Sequence, residues 1–266
     1  MMELGFIGAG NMGEAMIRGV ITAKLYPADR VVVFDAAPGR SETLRHRFGV
    51  SVASSVEGLL ASADTVVVAV KPQVLPSVLG AIPRGAAKGK TFISIVAGVK
   101  AAVFEKALGE DAKVVRTMPN TPAQVGMGST GVYFPESVDP GTRERVRAVF
   151  SSFGEVAEVP REELLDVVTA LSGSGPAYAF LFLEAMADGA VRAGMGRVEA
   201  YRLAAATLEG AARMVRETGK HPAELKDMVM SPGGTTAAGV EALERGAFRA
   251  TVMDAVLSAW KRCREL

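Results

Sequence analysis

The rhythm of apolar and polar positions changes once along this chain, near residue 160. Before that point, short apolar runs alternate with helix-period segments. The runs are Glu3–Ile7, Val31–Phe34, Val50–Val52, Thr65–Val70, Phe92–Val96, Ala112–Arg116, Gly131–Phe134 and Val156–Val159. Thr65–Val70 is apolar at nearly every position, as a strand covered on both faces must be. Such βα alternation predicts a doubly wound parallel sheet, with room for antiparallel additions. From Arg161 onward only helical spacing is left: Glu162–Leu171, Pro176–Gly194, Arg197–Glu217, His221–Met230, Ala237–Arg245 and Phe248–Arg264. The pattern predicts an α/β protein with a Rossmann domain over 1–160 and an all-α domain over 161–266.

One helical segment stands apart. Leu171–Gly194 opens on Ser172-Gly173-Ser174-Gly175-Pro176, runs apolar on almost every face, and stops at a glycine. Proline suits a first helical turn and glycine a C-terminal cap. Its only charged stripe is Glu184, Asp188 and Arg192. A helix apolar nearly all round belongs in a core, a subunit interface or a membrane. The three charges and the internal Gly189 argue against a membrane span, so a second subunit is the expected cover.

Composition narrows the field without choosing a function. At 266 residues and 49% apolar content the chain can bury one large core or two ordinary ones. A net charge of +1 gives no pull toward nucleic acid or an anionic membrane. The single cysteine, Cys263, cannot form an intrachain disulfide, which fits a cytoplasmic protein. No signal peptide is visible ahead of the first strand. The two histidines, His46 and His221, lie apart in polar surroundings, so no metal site is expected.

Two glycine-rich turns carry the chemistry. Gly8-Ala9-Gly10-Asn11-Met12-Gly13 sits between a strand and a helix with G-x-G-x-x-G spacing. The first glycine permits the turn, the second lets backbone approach a pyrophosphate, and the third lets helix close on strand. The next apolar run ends in Asp35, about 22 residues beyond Gly13, where an acid meets a ribose 2′-hydroxyl. Arg40 is placed to pair with a 2′-phosphate instead, which leaves NADH and NADPH both open. Lys71 follows a central strand at its carboxyl edge, where open α/β sheets bind ligands, although a plain loop lysine reads the same way. Small residues after later strands, Ala97-Gly98 and Thr117–Pro122, leave space for a flat ring. The second turn, Ser231-Pro232-Gly233-Gly234-Thr235-Thr236, can point successive N–H groups inward as a nest for a carboxylate. Alternatively, Thr235 simply caps the following helix. Spacing does not choose between these.

Taken together, these segments resemble the Δ1-pyrroline-5-carboxylate reductases. The resemblance rests on GFIGAGNMGEAM at Gly5–Met16, AVKPQ at Ala69–Gln73, MPNTP at Met118–Pro122, ALSGSGPAY at Ala170–Tyr178 and SPGGTT at Ser231–Thr236. The last two, with ALERGAFR at Ala242–Arg249, are the specific ones. It implies NAD(P)H-dependent reduction of L-1-pyrroline-5-carboxylate to L-proline, the final step of proline synthesis. It also implies a helical dimerisation domain and dimers that assemble into larger rings, commonly a decamer. The resemblance puts dinucleotide contacts on Phe6, Ile7, Gly8, Ala9, Gly10, Asn11 and Met12, then on Ala69, Val70, Lys71, Pro72, Ala97 and Gly98, beside the Gly13 and Asp35 that motif spacing supplies. Substrate would be held by Ser231, Gly233, Gly234, Thr235 and Thr236, with Thr236 at the ring nitrogen as the catalytic residue. The sequence departs from the family at Ser54-Ser55-Val56, where many members carry an asparagine for the adenosine ribose. Asp35 also differs from the pattern of strict NADP users.

Reducing a C=N bond needs a hydride at carbon and a proton at nitrogen. An imine is basic enough to be substantially protonated near neutrality, so the absence of a well-placed histidine is no obstacle. Alignment is the main task, and orientation can supply ~7–11 kcal/mol of the barrier. Two other readings compete. β-Hydroxyacid dehydrogenases share the GFIGxGxMG opening but carry a catalytic lysine on the helix that Pro176–Gly194 would match, and that helix has none. The other is a dinucleotide-binding protein without turnover.

Overall fold

A computed structural model describes residues 3–109 and 111–265. Among the described residues eight strands form one sheet: β1 Leu4–Ile7, β2 Val31–Phe34, β3 Ser51–Val52, β4 Thr65–Val68, β5 Thr91–Ser94, β6 Lys113–Met118, β7 Gly128–Tyr133 and β8 Gly154–Glu158. The helices of this part are α1 Asn11–Thr22, α2 Pro38–Phe48, α3 Val56–Ser62, α4 Leu75–Gly80, α5 Ala101–Leu108, α6 Pro140–Ser151 and α7 Leu164–Val168. Strand order is β3-β2-β1-β4-β5-β6-β7-β8. Neighbours pair in parallel except β6 with β7, which run antiparallel. This is the doubly wound sheet expected, with β7 and β8 as additions that run opposite to the other strands.

Because side chains alternate across a strand, each inner strand feeds two cores. Phe6, Val33 and Val67 face α1 and α6, where Met16, Ile17, Val146 and Phe150 are buried. Ile7, Val66 and Val68 face α3, α4 and α5, where Leu59, Leu75 and Phe104 are buried. Strand order reverses between β1 and β4, the place where such sheets leave a crevice for ligands.

Contacts divide the chain into two compact units, Met1–Ser174 with Ala259–Leu266, and Gly175–Ser258. The change of sequence rhythm near residue 160 and this division differ for a physical reason. Leu165 of α7 is buried, and a Cβ on Gly131 of β7 would strike the Val168 side chain at 2.7 Å. Residues up to Ser174 are helical in pattern yet belong by packing to the sheet.

The second unit contains α8 Gly175–Arg192, α9 Arg197–Thr218, α10 Pro222–Val229, α11 Thr235–Arg245 and most of α12 Phe248–Cys263. Gly194, at φ +100°, turns the chain out of α8, and Arg197 then pairs with Asp188 at 2.6 Å. Tyr178 donates to the Ala255 carbonyl at 3.4 Å, and the Phe182 and Phe248 rings meet at 5.5 Å. Within the chain, Ala187 is the buried residue of α8, while Phe180 and Leu181 stand 65% and 68% exposed. Leu164–Arg192 is long and apolar enough to cross a membrane by length and composition. It also carries Glu184, Asp188 and Arg192.

Candidate active site

The first glycine turn lies at the β1–β4 crevice. Ile7 ends β1, Gly8 donates to the Phe34 carbonyl at 2.8 Å, and Ala69 donates to the Ile7 carbonyl at 2.8 Å. Gly8 takes φ +101°, and a Cβ there would meet the Ala69 carbonyl oxygen at 2.5 Å. A Cβ on Gly13 would meet the Gly8 oxygen at 2.6 Å. Gly10 differs: a Cβ on it would meet no heavy atom within 4 Å. The outer two glycines are therefore required by the turn itself, and the middle one keeps space clear above the backbone. Gly10 is also the N-cap of α1, and among the described residues no side-chain cap hydrogen bond is made there. Such an uncapped terminus, with the positive end of the helix dipole, holds an anion without a lysine. A dinucleotide pyrophosphate fits it.

Asp35 follows β2 and is tied to this turn. One carboxylate oxygen accepts from Ala9 N–H at 2.7 Å and the other from Ala37 N–H at 2.9 Å. Each oxygen keeps a further lone pair for a ribose hydroxyl. Arg40, on the first turn of α2, donates from Nε to the Ala9 carbonyl at 2.5 Å and from Nη2 to Glu14. Sequence spacing showed Asp35 and Arg40 but not Glu14, whose partners lie 26 and 33 residues away.

Other predicted contacts divide by placement. Ala69, Val70 and Pro72 are half-buried beyond β4, and Lys71 is exposed at the start of a short 3-10 turn. Ala97 and Gly98 follow β5 and are half-buried, with Gly98 at φ +73°. Phe6 and Ile7 have core side chains, so only their backbone is available to a ligand. The structure adds Asn120, 8% exposed, which the sequence reading passed over inside MPNTP. Its Oδ1 accepts from Ser129 N–H at 2.8 Å and its Nδ2 donates to the Ser172 carbonyl at 3.0 Å. It fastens the loop after β6 to a π-helical turn over Thr169–Gly173, a rare form frequent at functional sites.

The second turn lies in the other unit. Gly233 takes φ +70°, Gly234 donates to the Ser231 carbonyl at 3.0 Å, and α11 begins at Thr235 rather than Ala237. A Cβ on Gly234 would run into the Ser231 hydroxyl. Gly234 is the N-cap, and among the described residues no side-chain cap hydrogen bond is made at α11. The alternative that Thr235 caps this helix is thereby corrected: Thr235 and Thr236 are its first two helical residues, exposed and half-buried respectively. The N-terminal N–H groups of an 11-residue helix are left for an anion of carboxylate size. Among the described residues, no group of three or more His, Cys, Asp or Glu could hold a metal ion.

The chain is similar to known proteins along its whole length. Residues 162–266 match the family described as pyrroline-5-carboxylate reductase dimerisation, and residues 3–98 match that described as NADP oxidoreductase coenzyme F420-dependent. The chain is 42% identical over 264 residues to the pyrroline-5-carboxylate reductase of Escherichia coli K12, covering 99% of this chain and 98% of that one. The solved pyrroline-5-carboxylate reductase of Coxiella burnetii superposes with a TM-score of 0.91 at 34% identity, covering 99% and 98%. The Plasmodium falciparum pyrroline carboxylate reductase, solved with NADP bound, gives 0.89 at 34%, covering 99% and 97%. The chain belongs to the pyrroline-5-carboxylate reductase family.

Proposed function

We propose that this chain reduces L-1-pyrroline-5-carboxylate to L-proline with NAD(P)H, as the last step of proline synthesis. The observation that carries the reading is a pair of uncapped helix N-termini, at Gly10 and Gly234, in a chain matching these reductases along its whole length. When bound, the dinucleotide supplies a hydride. The residues of the chain bind and orient. The turn over Gly8–Gly13 holds the pyrophosphate, Asp35 takes the adenosine ribose, and Ala69–Pro72 with Ala97 and Gly98 border the remainder. The Gly233 and Gly234 N–H groups and the start of α11 hold the substrate carboxylate, and the Thr236 hydroxyl orients the ring nitrogen and relays its proton.

The family match over 162–266 supports a dimer, as do the uncovered Phe180 and Leu181 of α8. In that assembly the site is completed by helices of both subunits, and dimers build a larger ring such as a decamer. The enzyme acts in the cytoplasm, without nucleic-acid or membrane partners. Absorbance at the reduced-nicotinamide band tests the reaction. Pyrroline-5-carboxylate should drive dinucleotide consumption, and a β-hydroxyacid with oxidised dinucleotide should not generate any. The reverse result would favour the hydroxyacid dehydrogenase reading, and silence with both would favour a protein without turnover.

A further inference from the structure

The geometry points to Glu14 as the residue that sets the choice of dinucleotide: its carboxylate occupies Arg40 and Arg47, the cations a 2′-phosphate would need, so the chain takes NADH in preference to NADPH. This rests on the reading of the Gly8–Gly13 turn as the dinucleotide cradle.

Glu14 sits on the first turns of α1, with a side chain only 19% exposed. One oxygen pairs with Arg40 and the other with Arg47, which lies seven residues further along α2 on the same face. Arg40 is additionally fixed by its bond to the Ala9 carbonyl, inside the cradle itself. Its guanidinium is thus at the right place for a phosphate but already has an anion. A cavity of about 300 Å³ beside the turn is lined by Glu14, Arg18 and Arg47 among others, and among the described residues Glu14 is its one acid. Glu14 and Asp35 match Arg40 and Arg47 in charge, while Arg18 lines the cavity as a further cation outside the Glu14 pairs. A phosphate monoester brings a charge of about −1.5 to −2 at neutral pH, and must either displace the Glu14 carboxylate or stand beside two acids. A ribose 2′-hydroxyl brings no charge and needs an acceptor. Asp35, held by Ala9 and Ala37 N–H, is such an acceptor.

The test is direct binding, followed by nicotinamide fluorescence without substrate, so that it does not depend on turnover. Wild type should bind NADH at least about tenfold more tightly than NADPH. Glu14→Gln should tighten NADPH about tenfold and move NADH by less than about threefold, since one like charge beside the phosphate is removed. Adding Arg40→Met to Glu14→Gln should return NADPH to the weak binding of wild type. Thermal melting of each variant shows that it is folded. Wild type binding NADPH as tightly as NADH, or Glu14→Gln shifting both dinucleotides alike as a mere α1–α2 clamp would, overturns the inference and leaves the cradle standing. Wild type binding neither overturns the cradle and the inference together.

Discussion

At Gly10 the space above the backbone is the functional feature, and filling it should separate binding from folding. Since a Cβ there meets no heavy atom of the described residues within 4 Å, Gly10→Leu is expected to fold with a melting temperature near that of wild type. Its dinucleotide affinity should fall by at least about tenfold in a fluorescence titration, because the side chain takes the phosphate's place. Thr236 makes the complementary case. Thr236→Ala should lower kcat/KM by about a hundredfold while the dinucleotide Kd stays unchanged, as expected of a group that orients or relays a proton. Wild-type kinetics in that variant would remove Thr236 from the chemistry. The glycine turn and Asp35 were legible in the sequence because their spacing is local and set by the strand–turn–helix geometry. Glu14 and Asn120 were not, since what gives them meaning is a partner brought close only by the fold.

Secondary-structure elements show the same division. The strands β1, β2 and β4 were readable as apolar runs, because both faces of the sheet are covered. The ends of helices were less so. Thr235 reads as a cap by residue type, yet Gly234 caps α11 because its extended backbone and the bond from Gly234 N–H to the Ser231 carbonyl close the turn first. The π turn at Thr169–Gly173 has no periodicity of its own to be seen. Gly154 of β8 pairs with Gly128 of β7, and a Cβ there would overlap the Gly128 carbonyl backbone. Gly154→Ala should cost about 2–3 kcal/mol in denaturant unfolding, since backbone cannot yield as a side chain can. Asp139, the N-cap of α6, makes a prediction about acid. Lys113 beside it, then the Thr142 N–H and hydroxyl, hold its carboxyl far below the usual range. A depressed carboxylate stabilises the fold fully above its unfolded value of about 4 and loses that contribution as pH falls below it. Melting temperatures of wild type and Asp139→Asn should therefore differ at neutral pH and converge as the solution is acidified below about pH 4.

For the whole molecule, the question is what covers α8. Its sequence demanded a partner, and within the chain Phe180 and Leu181 are still open. Replacing both with glutamate should convert the oligomer to monomer in analytical ultracentrifugation while the sheet unit keeps its dinucleotide affinity. An unchanged sedimentation coefficient would place the subunit contact elsewhere. The change of rhythm at residue 160 marked where the strands end, but not where the sheet's packing ends, because α7 and the π turn spend their apolar side chains on β7 and neighbouring loops. The central claim, that hydride passes directly to the imine carbon of a substrate anchored by its carboxylate, has one most direct measurement. Pyrroline-5-carboxylate is reduced with each of the two nicotinamides deuterated on one face of the reactive carbon, and the proline is analysed by mass spectrometry and NMR. The account predicts proline carrying one deuterium, at the former imine carbon, from only one of the two. Proline without deuterium from both, or deuterium at any other carbon, would contradict it.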